Sequence, residues 1–237
     1  LVVQKTRETG AEIYWIGDDL APRTSTVAQC ARLFVAALTM ISDEDMLTVS
    51  DMDMWPLGSW ISDGVDNRKL TVHYANAYQG ETELHYPMCY LTAPSLIWRS
   101  IVSCERGLRD TLQAMLLQAP TNPDGAWNWD ERWISNRIST RLGYPSNVHE
   151  INRTFAEGEW RIDRSDWEGA LAKAEERGSL AGFADAHLIR PGYTEENWPR
   201  VRRLLRMALS PEDLAWVDDY REMWVRAEAS GEKERTS

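Results

Sequence analysis

Two carboxylates one residue apart, Asp51 and Asp53, follow directly on the apolar run Met46–Ser50 (MLTVS). A compact run of this kind reads as a β-strand, and an open α/β sheet binds ligands at the carboxyl ends of its strands. If the backbone turns there, one carboxylate reaches a divalent cation and the other reaches it directly or through water. Positions are then left for phosphate oxygens. Pro56 is read as the stop of that strand. Taken alone, an Asp-x-Asp pair is more often a solvated loop than a site.

The elements that must position this pair are legible on both sides of it. Upstream, Leu1–Gly10 reads as the tail of a helix and Glu12–Gly17 (EIYWIG) as a strand. Ser25 or Thr26 can cap a helix on which Cys30, Phe34, Leu38 and Ile41 recur at helical spacing. Downstream, Leu70–Tyr78 and Glu83–Thr92 alternate aromatic and β-branched residues as strands do, before a helix over Ser95–Leu117. Ser165 and Glu168 form a capping box and Gly178 a stop, which bounds a helix over Asp166–Arg177. Ser210, Pro211 and Glu212 open a last helix. Strands alternating with helices predict an α/β fold with right-handed crossovers in a mixed, mostly parallel sheet, flanked by helices and closed by C-terminal helices. One domain is expected over residues 1–229, with a polar, disordered tail over 230–237. Because the chain begins at Leu1 in what reads as the middle of an element, a preceding segment is expected.

The 237 residues carry a formal net charge of −11, with no Lys/Arg-rich run to offset it, so nucleic acid is a poor partner. An acidic protein that handles a diphosphate needs a cation between the two negative partners. Cys30, Cys89 and Cys104 are odd in number and set among apolar neighbours, which argues for buried thiols rather than a disulfide framework or a zinc cluster. No apolar run reaches the length of about 20 residues that a membrane span needs, and none resembles a signal peptide, so a cytoplasmic location is expected.

The sequence VSDMDMWPL resembles the Asp-x-Asp segment of GT-A type glycosyltransferases, the DxD-containing nucleotide-diphospho-sugar transferases. There an apolar-Pro-Leu step follows the acidic pair. Further segments are similar to parts of that family: AQCARLF, which carries Arg32; YPMCY, which carries Tyr90; the WNWDE segment with Asp130; RIDR, which carries Arg164; and ADAHLIRP, which carries His187 and Arg190. The resemblance spans about Glu12–Leu205. It implies a GT-A, Rossmann-like fold in which the family's first nucleotide-binding strand is not evident. It also implies Mn²⁺ (or Mg²⁺) held by Asp51, Asp53 and His187. Contacts to a UDP- or GDP-sugar would come from Arg32, Asp51, Met52, Asp53, Tyr90, Arg164 and Arg190. Asp130 would face the transferred sugar, as the base of an inverting reaction or as a partner of sugar hydroxyls in a retaining one. Glu131 departs from the family, which usually has glutamine after the aspartate.

Bland readings stand beside these. Arg32 is equally a surface arginine, Tyr90 a core aromatic, and Asp130 with Glu131 a favourable pair at a helix N-terminus. His73, His85 and His149 have no motif to support them. The expected activity is transfer of a sugar, of the hexosyltransferase type, from a nucleotide-diphosphate donor to a carbohydrate or other hydroxyl acceptor. The rivals are a metal-dependent nucleotidyltransferase, which lacks here a Gly-rich phosphate loop, and a non-catalytic carbohydrate-binding protein using its 12 tryptophans.

Overall fold

In the computed structural model, which describes residues 24–38, 40–120, 127–152 and 161–230 together with Arg7, Gly10, Ala11 and Ile13, seven helices and seven strands alternate among the described residues. They run α1 (Thr24–Ala31, continued by a 3-10 turn over Arg32–Ala37), β1 (Met46–Ser50), β2 (Met54–Pro56), β3 (Leu70–His73), β4 (Tyr90–Pro94), α2 (Ser95–Val102) and α3 (Gly107–Leu116). After these come α4 (Trp129–Arg141), β5 (Val148–Ile151), β6 (Arg161–Ile162), α5 (Trp167–Arg177), β7 (Asp185–His187), α6 (Trp198–Ala208) and α7 (Pro211–Ala229). The expected elements at Glu12–Gly17, over most of Leu1–Gly10 and in the tail beyond Ser230 lie outside the described residues. Where one domain was expected over residues 1–229, the chain divides into two compact units. One is Leu1–Ser50 with Val65–Arg153, the other Asp51–Gly64 with Thr154–Ser237.

The first unit is built on a four-stranded sheet in the order β1-β4-β3-β5. The α/β class holds, but the expectation of a mostly parallel sheet does not: β4 runs antiparallel to both β1 and β3, and only β3 and β5 are parallel. The cause is the connection from His73 to Tyr90, which holds turns and no crossover helix, so the chain returns antiparallel. Val49, Leu70, Val72, Leu91 and Ala93 pack under Trp98, Ile101, Leu112, Ile134 and Ile138.

Three local expectations are corrected in this unit. Strand β3 ends at His73, because Tyr74 takes a left-handed φ of 57°. His85–Cys89 are buried as a strand would be, but no strand pairs with them, and the chain bends at Met88 and Cys89. Instead, helix α4 supplies the acceptors, as Tyr86 N–H donates to Ser135 Oγ at 2.9 Å and Met88 N–H to Glu131 Oε1 at 3.1 Å. The single helix expected over Ser95–Leu117 is two. Ser103 at φ 57° and Gly107 at φ 78° interrupt it, the second being a backbone region that glycine enters without a Cβ clash.

The second unit holds a three-stranded sheet, β2-β7-β6, with β2 antiparallel and β6 parallel to β7. Ile162, Ala186 and Trp55 turn one face of it onto Trp167, Leu171, Phe183 and Leu204. Pro56 does not stop β1. It closes β2, an edge strand, where a residue lacking an N–H is tolerated. Helix α5 has the expected end at Gly178, in the left-handed conformation, but Asp166 occupies its N-cap. The expected capping box is absent. Ser165 turns to Asp163 instead, and Glu168 binds Arg200 and Arg203 of α6. Helix α7 is capped by Ser210, whose Oγ accepts the Asp213 N–H at 3.1 Å.

Cys30 and Cys89 are buried and Cys104 half-buried, all three as free thiols; burial pushes the Cys30 thiol up to about 12. None of the described helices is long and apolar enough to cross a membrane.

Candidate functional site

In the second unit, register alone brings three titratable side chains together. Antiparallel pairing sets Met54 opposite His187, and Leu188 N–H donates to the Asp53 carbonyl at 2.8 Å, so Asp53 lies beside the end of β7. Parallel pairing sets Ile162 beside Ala186, so the next residues, Asp163 and His187, are neighbours too. Side chains alternate along a strand. With Ile162 and Ala186 committed to the core, Arg161, Asp163, Asp185 and His187 share the opposite face.

His187 is the centre of the group. Its Nε2 is 3.2 Å from Asp53 Oδ2 and its Nδ1 is 3.1 Å from Asp163 Oδ2. Asp53 Oδ2 also accepts the Nε–H of Arg190 at 2.5 Å, with an Arg164 nitrogen 3.8 Å away. Both arginines are half-exposed while the Asp53 side chain is 14% exposed, so positive charge faces solvent over a sheltered carboxylate. Asp163 Oδ1 accepts from the backbone N–H and the hydroxyl of Ser165, at 2.9 and 2.6 Å. Two residues earlier on both strands, Arg161 clasps the fully buried Asp185 through two hydrogen bonds of 2.7 and 2.9 Å.

The protonation states follow from these contacts. Burial works to raise the Asp53 carboxyl, but the His187 hydrogen bond and the Arg190 charge outweigh it and bring it down to about 2. Asp163 is held well below the usual carboxylate range, first by its hydrogen bond from His187 and then, against burial, by Ser165. For His187, burial favours the neutral ring, yet the two carboxylates overcome it and raise its pKa.

Of the residues singled out from the sequence, Asp53, His187, Arg164 and Arg190 are thus gathered in one cluster. Asp51 opens a tight turn in which its carbonyl accepts the Met54 N–H at 3.1 Å, and Met52 at the tip of that turn is 97% exposed. Among the described residues no group of three or more His, Cys, Asp or Glu side chains is arranged to hold a metal ion. The expected set of Asp51, Asp53 and His187 is therefore not assembled as three. Asp53 Oδ2 and His187 Nε2 do meet, at the separation of an ordinary hydrogen bond.

The other three candidates belong to the first unit. Asp130, 2% exposed in the first turn of α4, is ion-paired with Arg32 at 2.5 Å. Tyr90 is buried in β4, its ring edge-on to His73 with centroids 6.3 Å apart. Beside Asp130 is a network that the sequence reading did not assign. His85 Nδ1 is 2.9 Å from Glu81 and its Nε2 is 3.1 Å from Glu131, while Tyr78 stacks on the ring at 3.9 Å and donates its hydroxyl to Glu131 at 3.1 Å. Burial raises the Glu131 carboxyl, with the Met88 N–H opposing it. The glutamate at the position where a glutamine was expected is thus the acceptor that ties the 78–88 segment to α4. Asp163 was missed as well. Its only sequence signal was the RIDR alternation, which puts it on the same strand face as Arg161.

In comparisons with known proteins, no family model matches this chain, and neither a curated protein nor a solved structure matches it.

Proposed function

We propose that the protein is a glycosyltransferase that moves a sugar from a nucleotide-diphosphate donor to a hydroxyl acceptor, and that the Asp53 and His187 cluster receives the donor's diphosphate. The observation carrying this reading is the approach of Asp53 Oδ2 to His187 Nε2 at 3.2 Å, flanked by Arg190 and Arg164. These residues come from the very segments on which the resemblance to GT-A glycosyltransferases rests. In this reading Asp53 and His187 supply a carboxylate oxygen and an imidazole nitrogen to a divalent cation, a mixed donor set that suits Mn²⁺ better than Mg²⁺. A bound cation would stabilise the negative charge that develops on the departing diphosphate. On this reading Arg164 and Arg190, half-exposed on the solvent side of Asp53, exchange its carboxylate for phosphate oxygens, where a guanidinium forms paired hydrogen bonds. The turn at Asp51–Met54 holds the backbone of Asp53 in place while its side chain exchanges partners.

A second reading has its own observation. The Asp53 carboxylate already carries Arg190, Arg164 and a histidine whose pKa is raised, so its charge is compensated without any cation. On that reading the arginines bind the diphosphate directly and the reaction is independent of metal.

The experiment is to incubate the protein with UDP- and GDP-sugars, with Mn²⁺ or with a chelator, and to detect released nucleoside diphosphate by mass spectrometry. Release that requires Mn²⁺ supports the first reading, and release that survives the chelator supports the second. If no donor in such a panel is turned over or bound, the transferase reading falls, and a nucleotidyltransferase or a carbohydrate-binding protein takes its place.

A further inference from the structure

We infer that helix α7 is a self-association surface, through which two copies of this chain pair in antiparallel orientation along Trp216, Tyr220, Met223 and Ala227. This face takes no part in the cluster at Asp53 and His187. The 19 residues of α7 span about 28 Å, yet none of its described side chains is buried. Most of the stability of a helix in a protein comes from tertiary packing. The tethers of α7 to its own unit are instead largely polar and lie on one side. Asp218 takes two hydrogen bonds from Arg202 of α6, at 2.7 and 2.6 Å. Arg221 donates to the Tyr193 carbonyl at 3.1 Å, and its guanidinium sits over the Trp198 ring.

On the other side, Trp216, Tyr220, Met223 and Ala227 follow one another at intervals of four, three and four, the spacing that turns one stripe of a helix toward a partner helix. At 3.6 residues per turn, the centre of this stripe falls about 160° around the helix from Asp218 and Arg221. Trp216 is 41% exposed. Its ring stacks on Tyr220, with centroids 5.7 Å apart and planes 11° from parallel. The stripe thus has two large aromatic rings at its N-terminal end and a flexible and a small residue at its C-terminal end.

That asymmetry selects the occupant. An antiparallel second copy that sets Tyr220 against the partner's Met223 also sets Trp216 against the partner's Ala227, so a large side chain meets a smaller one at each layer. The same register brings Asp219, on the flank of the stripe, beside the partner's Arg226, and two-fold symmetry makes that ion pair twice. A parallel copy would stack Trp216 on the partner's Trp216 and leave Asp219 beside the partner's Trp224, with no opposite charges paired. Arg226 holds Glu222 on its own helix at 2.9 Å, with side chains 78% and 59% exposed. Exchanging an ion pair so exposed for one with Asp219 costs little.

The experiment is sedimentation velocity of the full chain. One helix pair is a small interface, so a dissociation constant on the order of 1–100 µM is expected. Runs across that range at about 0.15 M salt, where repulsion between the net charges of −11 is screened beyond roughly 8 Å, should show one chain giving way to two. Asp219→Arg and Arg226→Asp each set like charges together across the seam and should weaken the dimer about tenfold or more. Combining them reverses the pair and should bring the dissociation constant back to within about threefold of wild type. All three variants change surface positions only, and circular dichroism follows their helix content. A wild type that stays monomeric throughout overturns the inference. So does a dimer that the single reversals leave unchanged, or one that the double reversal fails to restore.

Discussion

His187 Nε2 and Asp53 Oδ2 stand 3.2 Å apart because β2 and β7 pair in antiparallel register with Met54 opposite His187. Two segments far apart in sequence, each unremarkable in isolation, become one chemical group through three backbone pairings and a hydrogen bond from Leu188 N–H to the Asp53 carbonyl. The proximity is a property of the small sheet, so it should survive changes to the side chains themselves.

Asp53→Asn keeps shape and removes charge, and is expected to abolish most Mn²⁺-dependent donor binding; it also removes the stability that the ionised carboxylate gains from His187 and Arg190, so unfolding is followed alongside. Calorimetry with a nucleotide-sugar, with and without Mn²⁺, checks this. Unchanged donor affinity in both conditions would sink the role of Asp53. A loss seen equally without metal would favour the arginine-held diphosphate.

The same cluster gives the metal-free protein a defined pH dependence. Because His187 has its pKa raised in the folded state, its contribution to stability is fully present below the unfolded value near 6.5 and is lost as pH rises through the higher folded value. Asp53 behaves oppositely. Its pKa is lowered to about 2, so its contribution is present above the unfolded value of roughly 3.8 and is lost as pH falls toward about 2. Urea unfolding of wild type and His187→Gln across pH 5 to 9 checks the first statement: the stability difference between them should shrink as pH rises above about 6.5. A difference that is constant with pH would mean the ring is neutral throughout.

The parts that were legible in the sequence are those written in local chemistry. Met46–Ser50 is the strand it was read to be, and α5 ends at the glycine that was read as its stop, because β-branched content and a left-handed C-terminal residue are local signals. Asp53 and His187 were legible as types of ligand. What was not legible is register. Strand β6 is two residues long and carries no period, so nothing in the sequence says that Asp163 lies beside His187. Glu83–Thr92 was read as one strand because aromatic and β-branched residues alternate along it, yet pairing begins only at Tyr90, and the backbone donors of Tyr86 and Met88 go to Ser135 and Glu131 on a helix some 40 to 50 positions later. Alternation does not say which element supplies the hydrogen-bond partners.

Behind the cluster, Arg161 and Asp185 form an ion pair with side chains 8% and 0% exposed. Removing one partner leaves a buried charge without its counterpart, so Arg161→Met is expected to cost about 3–5 kcal/mol. Arg161→Met with Asp185→Leu should recover most of that loss, since two apolar groups of similar volume need no partner. Denaturant midpoints of the two single variants and the double variant test this. A double variant as unstable as the sum of the singles would mean that the strand pairing itself depends on these charges.

Asp130 carries a role on which the resemblance and the geometry make different demands. The resemblance gives its carboxylate to the transferred sugar, whereas in the fold it is 2% exposed and holds Arg32 at 2.5 Å. Asp130→Asn should therefore have two separable effects. Loss of the ion pair with the partly buried Arg32 lowers stability. Loss of a contact made mainly in the transition state lowers turnover far more than donor affinity. Adding Arg32→Met removes the cation that Asp130 faced and should restore stability in either case. Turnover then decides between the roles: a double variant that is stable but slow gives Asp130 a part in the chemistry, and one that is stable and as fast as wild type reduces Asp130 to the residue that keeps Arg32 in place.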